Sequence, residues 1–325
     1  MNEFSHIPFQ VSPWAVSPES QGFSSAKVQE IRHLLRQAIS EKIIPGAVFL
    51  LQKKSQLICH ESLGWRDLEQ GQRQELDDIF GIASMSKAIC STALMILRDR
   101  AQCDLERPLS DYLPYFEEMA VIHTFDHKTG KYQTRPAEKP LLVKHLLNHT
   151  AGIPYPFLDG RVRFICQEKG GLDARKSLAQ NVQKLAQIPL IHEPSQAWTY
   201  GYGTDIIGHL IEVISGKNLH DFIREELFIP LNMPDTGFYL DTTKQSRLSL
   251  TYLKTNHQLL AMKPYFADPK SHRFLSGGGG LYSTAEDYAH FLEMLLQKGM
   301  YNNKRIVNEE SITQMTSNQI GALRI

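Results

Sequence analysis

The order of hydrophobic periodicities along this chain restricts the folds open to it. Two β-rich runs, AVFLLQKK from Ala47 and LICHESLGW from Leu57, follow one another across a short polar break and predict a hairpin. Ahead of them, SAKVQEIRHLLRQAISEK places Val28, Ile31, Leu34, Leu35 and Ile39 at helical spacing behind Ser24 or Ser25 as a cap. After them, SKAICSTALMILRDR carries Ile89, Ala93, Leu94 and Leu97 on one face without Pro or Gly, so a helix is expected to begin near Ser84. KPLLVKHLLNHTAGIP, ARKSLAQNVQKLAQ, TDIIGHLIEVISGK and LHDFIREELF also read as helical, with Gly152 and Gly216 at C-cap positions. LSGGGGLYST then makes a Gly-rich turn into EDYAHFLEMLLQKG, through a capping box of Ser283 and Glu286.

A hairpin alone is marginal in water, so other strands must join it. Strands early and helices in the middle predict an α+β fold: an antiparallel sheet flanked by helices, with a helical lobe inserted. The expected division is an N-terminal arm over 1–23, a sheet lobe over about 24–90 and 275–325, and a helical lobe over about 91–274. At 325 residues there is chain enough for an enclosed site, which is expected in the cleft between the lobes.

Composition removes several function classes. Lys plus Arg and Asp plus Glu are both 35, so no positive excess exists to neutralise a phosphate backbone, and nucleic acid is not an expected partner. No run approaches the roughly 20 apolar residues of a membrane span, and the N-terminus lacks a basic start followed by an apolar stretch, which predicts a cytoplasmic protein. Cys59, Cys90, Cys103 and Cys166 form no C-x-x-C pair and are expected to be buried free thiols.

Ser84-Met85-Ser86-Lys87 carries the chemistry. Residues three apart share a helix face, so Lys87 reaches the Ser84 hydroxyl. A serine needs a base at neutral pH, and a partly desolvated lysine can serve as one. Both residues are expected to be partly buried. A helix start also aims N–H groups at a developing anion. Ser24-Ser25-Ala26-Lys27 has the same spacing but reads as a helix cap followed by a solvated lysine.

IPGAV (44–48), IFGIASMSK (79–87), DLERPLSDYLPYF (104–116), HLLNHTAGIP (145–154), WTYGYGTDIIGHLIE (from 198), PLNMPDTGF (from 230) and GGGGLYSTAEDYAHFLEMLL (from 277) resemble, in order, the landmarks of the class C β-lactamase and family VIII carboxylesterase group. The resemblance implies a β-lactamase/transpeptidase-like fold and makes Tyr200 the tyrosine of the family's Tyr-x-Asn motif, trading a proton with Lys87 and Ser84. It implies substrate contacts at Tyr202, Gly278 and Gly279, a small-molecule ester or amide as substrate, and no cofactor or metal.

Position 202 is Tyr where the family has Asn, so the amide that orients a β-lactam is absent, and ester hydrolysis is the favoured reading. β-Lactam or D,D-peptide hydrolysis, and a silent binding or assembly relative, are the alternatives. The family's late Lys/His-Thr/Ser-Gly motif is not found after Tyr200. Lys128-Thr129-Gly130 spells it but reads as a loop. With no strand-rich segment after the glycine turn, the chain reads as C-terminally shortened relative to the family. His145 and His149 are four apart but lack an H-E-x-x-H arrangement, so both read as structural. No G-x-S-x-G elbow is present.

Overall fold

The computed structural model describes residues 6–12, 16–256, 258–262 and 274–325. The chain divides into two compact units, the first comprising Met1–Ile82, Leu231–Phe266 and Tyr282–Gln297, the second Ala83–Pro230, Ala267–Leu281 and Lys298–Ile325.

In the first unit, β1 (Phe9–Val11), β2 (Gly46–Lys53) and β3 (Gln56–Asp67) form an antiparallel sheet in the order β1-β3-β2. The expected hairpin is β2–β3. Lys54 and Ser55 turn it with φ of 49° and 63°, the two positive angles that match the twist of paired strands across a two-residue loop. Helix α1 (Ser25–Ser40) starts at Ser24, whose hydroxyl accepts from the Lys27 N–H at 3.4 Å. Its Ile39 packs with Ile7 and Leu63.

A later helix, Ala285–Leu296, is capped by Thr284, which accepts from the Asp287 N–H at 3.1 Å. The expected cap, Ser283, is one residue too early. Its side chain is fully buried and meets the Thr236 hydroxyl at 2.8 Å, because it belongs to the short strand paired with Phe80–Gly81.

The second unit is built on α2 (Ser86–Asp99) and, further along, α6, the helix Gly203–Ser215, which pack against each other. Ile89, Ala93, Leu94 and Leu97 of α2 and Ile206, Ile207, Leu210 and Ile211 of α6 are buried. Each such Ile or Leu side chain contributes about 1.5–3 kcal/mol on burial. The middle of the chain is less helical than its periodicity predicts. A hairpin of β4 (Ala120–Phe125) and β5 (Tyr132–Pro136) runs through it, turning at Asp126, which accepts from the Lys128 N–H at 2.8 Å and the Thr129 hydroxyl at 2.7 Å. Lys128-Thr129-Gly130 is therefore a loop, as expected.

KPLLVKHLLNHTAGIP yields only α3 (Val143–Leu147), since His149 adopts φ 59° and leads the chain away from helix. Gly152 consequently lies in a loop, whereas Gly216 does cap α6 with φ 68°. Helices α4 (Gly160–Lys169) and α5 (Leu178–Leu185) complete the run up to α6. Near the end, Met300–Tyr301 pairs with Lys304–Arg305 in a small hairpin that the sequence reading missed. All four cysteines are free and buried. No described helix is long and apolar enough to cross a membrane.

Candidate active site

Ser84, Lys87, Tyr200 and Gly278 all belong to the second unit, and the structure brings them together. Ser84 lies in a single 3-10 turn, Ala83–Met85, two residues ahead of α2. It is exposed, against the expectation of partial burial, while Lys87 in the first turn of α2 is half-buried. Ala83 holds φ at 44°, a conformation that costs a non-glycine residue on the order of 1 kcal/mol and that tends to mark functional turns.

Two groups converge on the serine: the Tyr200 hydroxyl donates to Ser84 Oγ at 2.6 Å, and Lys87 Nζ donates to it at 3.2 Å. Nζ also lies 4.6 Å from the centroid of the Tyr200 ring and 5.3 Å from that of Tyr155.

Tyr200 reaches Ser84 because two irregular segments pair. The Thr199 N–H donates to the His149 carbonyl at 2.7 Å, and the Tyr202 N–H donates to the Ile153 carbonyl at 3.1 Å. Between them Gly201 approaches so closely that a Cβ there would lie 1.9 Å from the Ile153 carbonyl oxygen. The Tyr200 ring is wedged among His149, Tyr155 and Trp198, with centroids 5.1, 5.5 and 6.1 Å away. Burial raises its phenol, but hydrogen bonding to Lys87 and Ser84 and the Lys87 charge outweigh it, leaving Tyr200 below the ordinary phenol range. His149 is pushed down to about 4, by burial first and by the Lys87 charge second, so it is neutral beside the tyrosine.

The glycine turn is packed in place. A Cβ on Gly277 would lie 2.6 Å from the Thr204 carbonyl oxygen and 2.9 Å from Cys90 Sγ. The Leu281 N–H donates to the buried Ser86 hydroxyl at 3.1 Å, tying the turn to α2. Gly278 meets the lysine: its carbonyl accepts from Lys87 Nζ at 2.6 Å. Gly279 is exposed. Tyr202 is half-buried at the start of α6 and packs edge-on against Tyr155, with centroids 4.5 Å apart. His145 Nδ1 accepts from the Leu142 N–H at 3.1 Å, and burial pushes this imidazole down to about 4. Among the described residues no group of three or more His, Cys, Asp or Glu could hold a metal ion.

Two residues of this cluster escaped the sequence reading. Tyr155 stands in a loop after HLLNHTAGIP with no motif of its own. Asp205 lies in the first turn of α6, 1% exposed. The available signal was a carboxylate among the buried isoleucines of TDIIGHLIE, a position where an acidic residue needs donors around it.

A beta-lactamase family model matches residues 31–322. Protein Rv1367c of Mycobacterium tuberculosis is 31% identical over 291 residues, 88% of this chain and 71% of that protein. Esterase EstB of Burkholderia gladioli is 27% identical over 80% of this chain and 67% of its own length. Unliganded simvastatin synthase (LovD) from Aspergillus terreus superposes with a TM-score of 0.75 at 23% identity, covering 92% of this chain and 74% of that structure.

Proposed function

Because the chain belongs to the beta-lactamase family, we propose that it is a serine hydrolase that forms an acyl-enzyme on Ser84 and acts on small carboxylic esters. One observation carries the reading: the Ser84 hydroxyl receives hydrogen bonds from Tyr200 and Lys87 together, the two groups able to take its proton.

In the first step Ser84 Oγ attacks the ester carbonyl and its proton passes to the deprotonated member of the Tyr200 and Lys87 pair. The carbonyl oxygen becomes an oxyanion, and the Ser84 N–H at the start of the helical turn is offered as a donor to it. Collapse breaks the bond to the alcohol oxygen, which leaves with the proton held by the pair and leaves Ser84 acylated. Water then attacks the acyl-serine, giving up a proton to the same pair, and the acid departs as Ser84 recovers its hydrogen.

Ester preference is supported by Tyr202, which has no side-chain amide to orient a β-lactam, and by the similarity to an esterase. The test is turnover of a short-chain aryl ester beside a chromogenic cephalosporin. Faster ester cleavage that disappears in Ser84→Ala is expected. Cephalosporin cleavage as fast as ester cleavage would remove the preference, and wild-type ester turnover in Ser84→Ala would remove the nucleophile.

A further inference from the structure

Asp205 has no part in the acyl transfer described above, yet it is buried against the Gly278 peptide that meets the lysine. Its carboxylate accepts from Ser276 Oγ at 2.5 Å, from the Gly278 N–H at 3.2 Å and from the Tyr155 hydroxyl. All three partners are neutral donors. A buried carboxylate is costly unless such donors satisfy it, and three of them favour the ionised form. Burial raises the carboxyl above its ordinary range, further than the hydrogen bonds from Ser276, Gly278 and Tyr155 and the Lys87 charge lower it. Burial also raises the Tyr155 phenol, which keeps it protonated and donating.

Two of these partners are the groups that locate Lys87. The Gly278 peptide donates its N–H to Asp205 while its carbonyl accepts from Lys87 Nζ at 2.6 Å. The Tyr155 ring lies 5.3 Å from the same Nζ. The fit leaves no slack, since a Cβ on Gly278 would come 2.6 Å from Asp205 Oδ2 and 2.8 Å from the Tyr155 hydroxyl oxygen.

We propose that Asp205 is a positioning residue: it holds the Gly278 peptide and the Tyr155 ring in the places that seat Lys87 against Ser84. This rests on the reading of Lys87 and Tyr200 as the proton acceptors for Ser84. The titratable groups facing Asp205 are Lys87 and Cys90 from α2, Tyr155 from the loop ahead of α4, and Tyr200 and Tyr202 ahead of α6. Burial holds the Cys90 thiol far above its ordinary range, and Tyr155 and Tyr202 are likewise raised by burial.

The experiment is the acylation rate with p-nitrophenyl acetate across the pH range for wild type, Asp205→Asn and Asp205→Ala, with Tm measured for each. Asparagine keeps an acceptor for Gly278 and Ser276 and should hold kcat within about tenfold of wild type. Alanine removes the seat, and kcat should fall on the order of 100-fold with KM little changed.

A merely structural role would lower Tm and leave the kcat of the folded protein where it is. A kcat in folded Asp205→Ala equal to that of wild type overturns the proposal. Should Asp205→Ala fail to fold, Ser276→Ala removes the hydroxyl that holds the Asp205 carboxyl beside Gly278. Its kcat should then fall with KM little changed, and an unchanged kcat overturns the proposal. Failure of the underlying reading is separately visible, because a fluorophosphonate would then not label Ser84 in the wild-type protein.

Discussion

Tyr200 and Lys87 meet at one oxygen, and that sharing decides how the rate should depend on pH. A phenol held below its ordinary range by a neighbouring cation is coupled to that neighbour, so protons leave the pair in steps that belong to neither group alone. Proton acceptance from Ser84 requires the pair to be one proton short. The rate should therefore be low in acid, rise as pH climbs through the pair's value, and level off beyond it. Tyr200→Phe should erase that limb and lower kcat/KM by roughly 10²–10⁴, and Lys87→Ala should fall in the same range. A pH–rate profile of the Phe variant that keeps the wild-type limb would assign the limb to another group. Tyr202→Asn should raise cephalosporin turnover relative to ester turnover, and an unchanged ratio would separate Tyr202 from the preference.

The structure shows how irregular segments position these side chains. The 149–155 and 199–202 segments pair only because residue 201 has no side chain, so Gly201→Ala should displace Tyr200 from Ser84. A loss of about 100-fold in kcat is expected from a misplacement of this size, with far less effect on ester KM. The helix cap at Thr284 offers a control in the first unit: Thr284→Ala should cost about 1 kcal/mol in a denaturation curve.

At this scale the sequence was readable where the period was long and unbroken. Helices α1, α2 and α6 and the β2–β3 hairpin follow from their apolar spacing, and Ser84, Lys87 and Tyr200 from their landmarks. It was unreadable where tertiary packing overrides spacing. Apolar residues at helical intervals in KPLLVKHLLNHTAGIP serve a loop past residue 147, because His149 and Gly152 turn left-handed and carry the chain toward Tyr200. Asp205 could not be assigned because its donors Ser276, Gly278 and Tyr155 lie at least 50 residues away in sequence.

For the molecule as a whole, buried imidazoles contribute to the loss of stability in acid. His145 is 5% exposed and held at about 4, against an ordinary value of 6.5. A group whose folded value is depressed binds its proton first in the unfolded chain. The stability it confers is thus complete above pH 6.5 and is lost as pH falls from there toward 4. His145 alone contributes at most about 3 kcal/mol to this loss, and His149 adds to it in the same window. Thermal melting should show Tm dropping across that range, with a shallower drop in His145→Asn. An equal slope in both proteins would place the acid sensitivity elsewhere.

The central claim is the acylation of Ser84, and it has a direct measurement. Wild-type protein treated with a fluorophosphonate, digested and read by mass spectrometry should carry the adduct on the peptide containing Ser84, and Ser84→Ala should carry none. An adduct on any other serine, or labelling that persists in Ser84→Ala, contradicts the account.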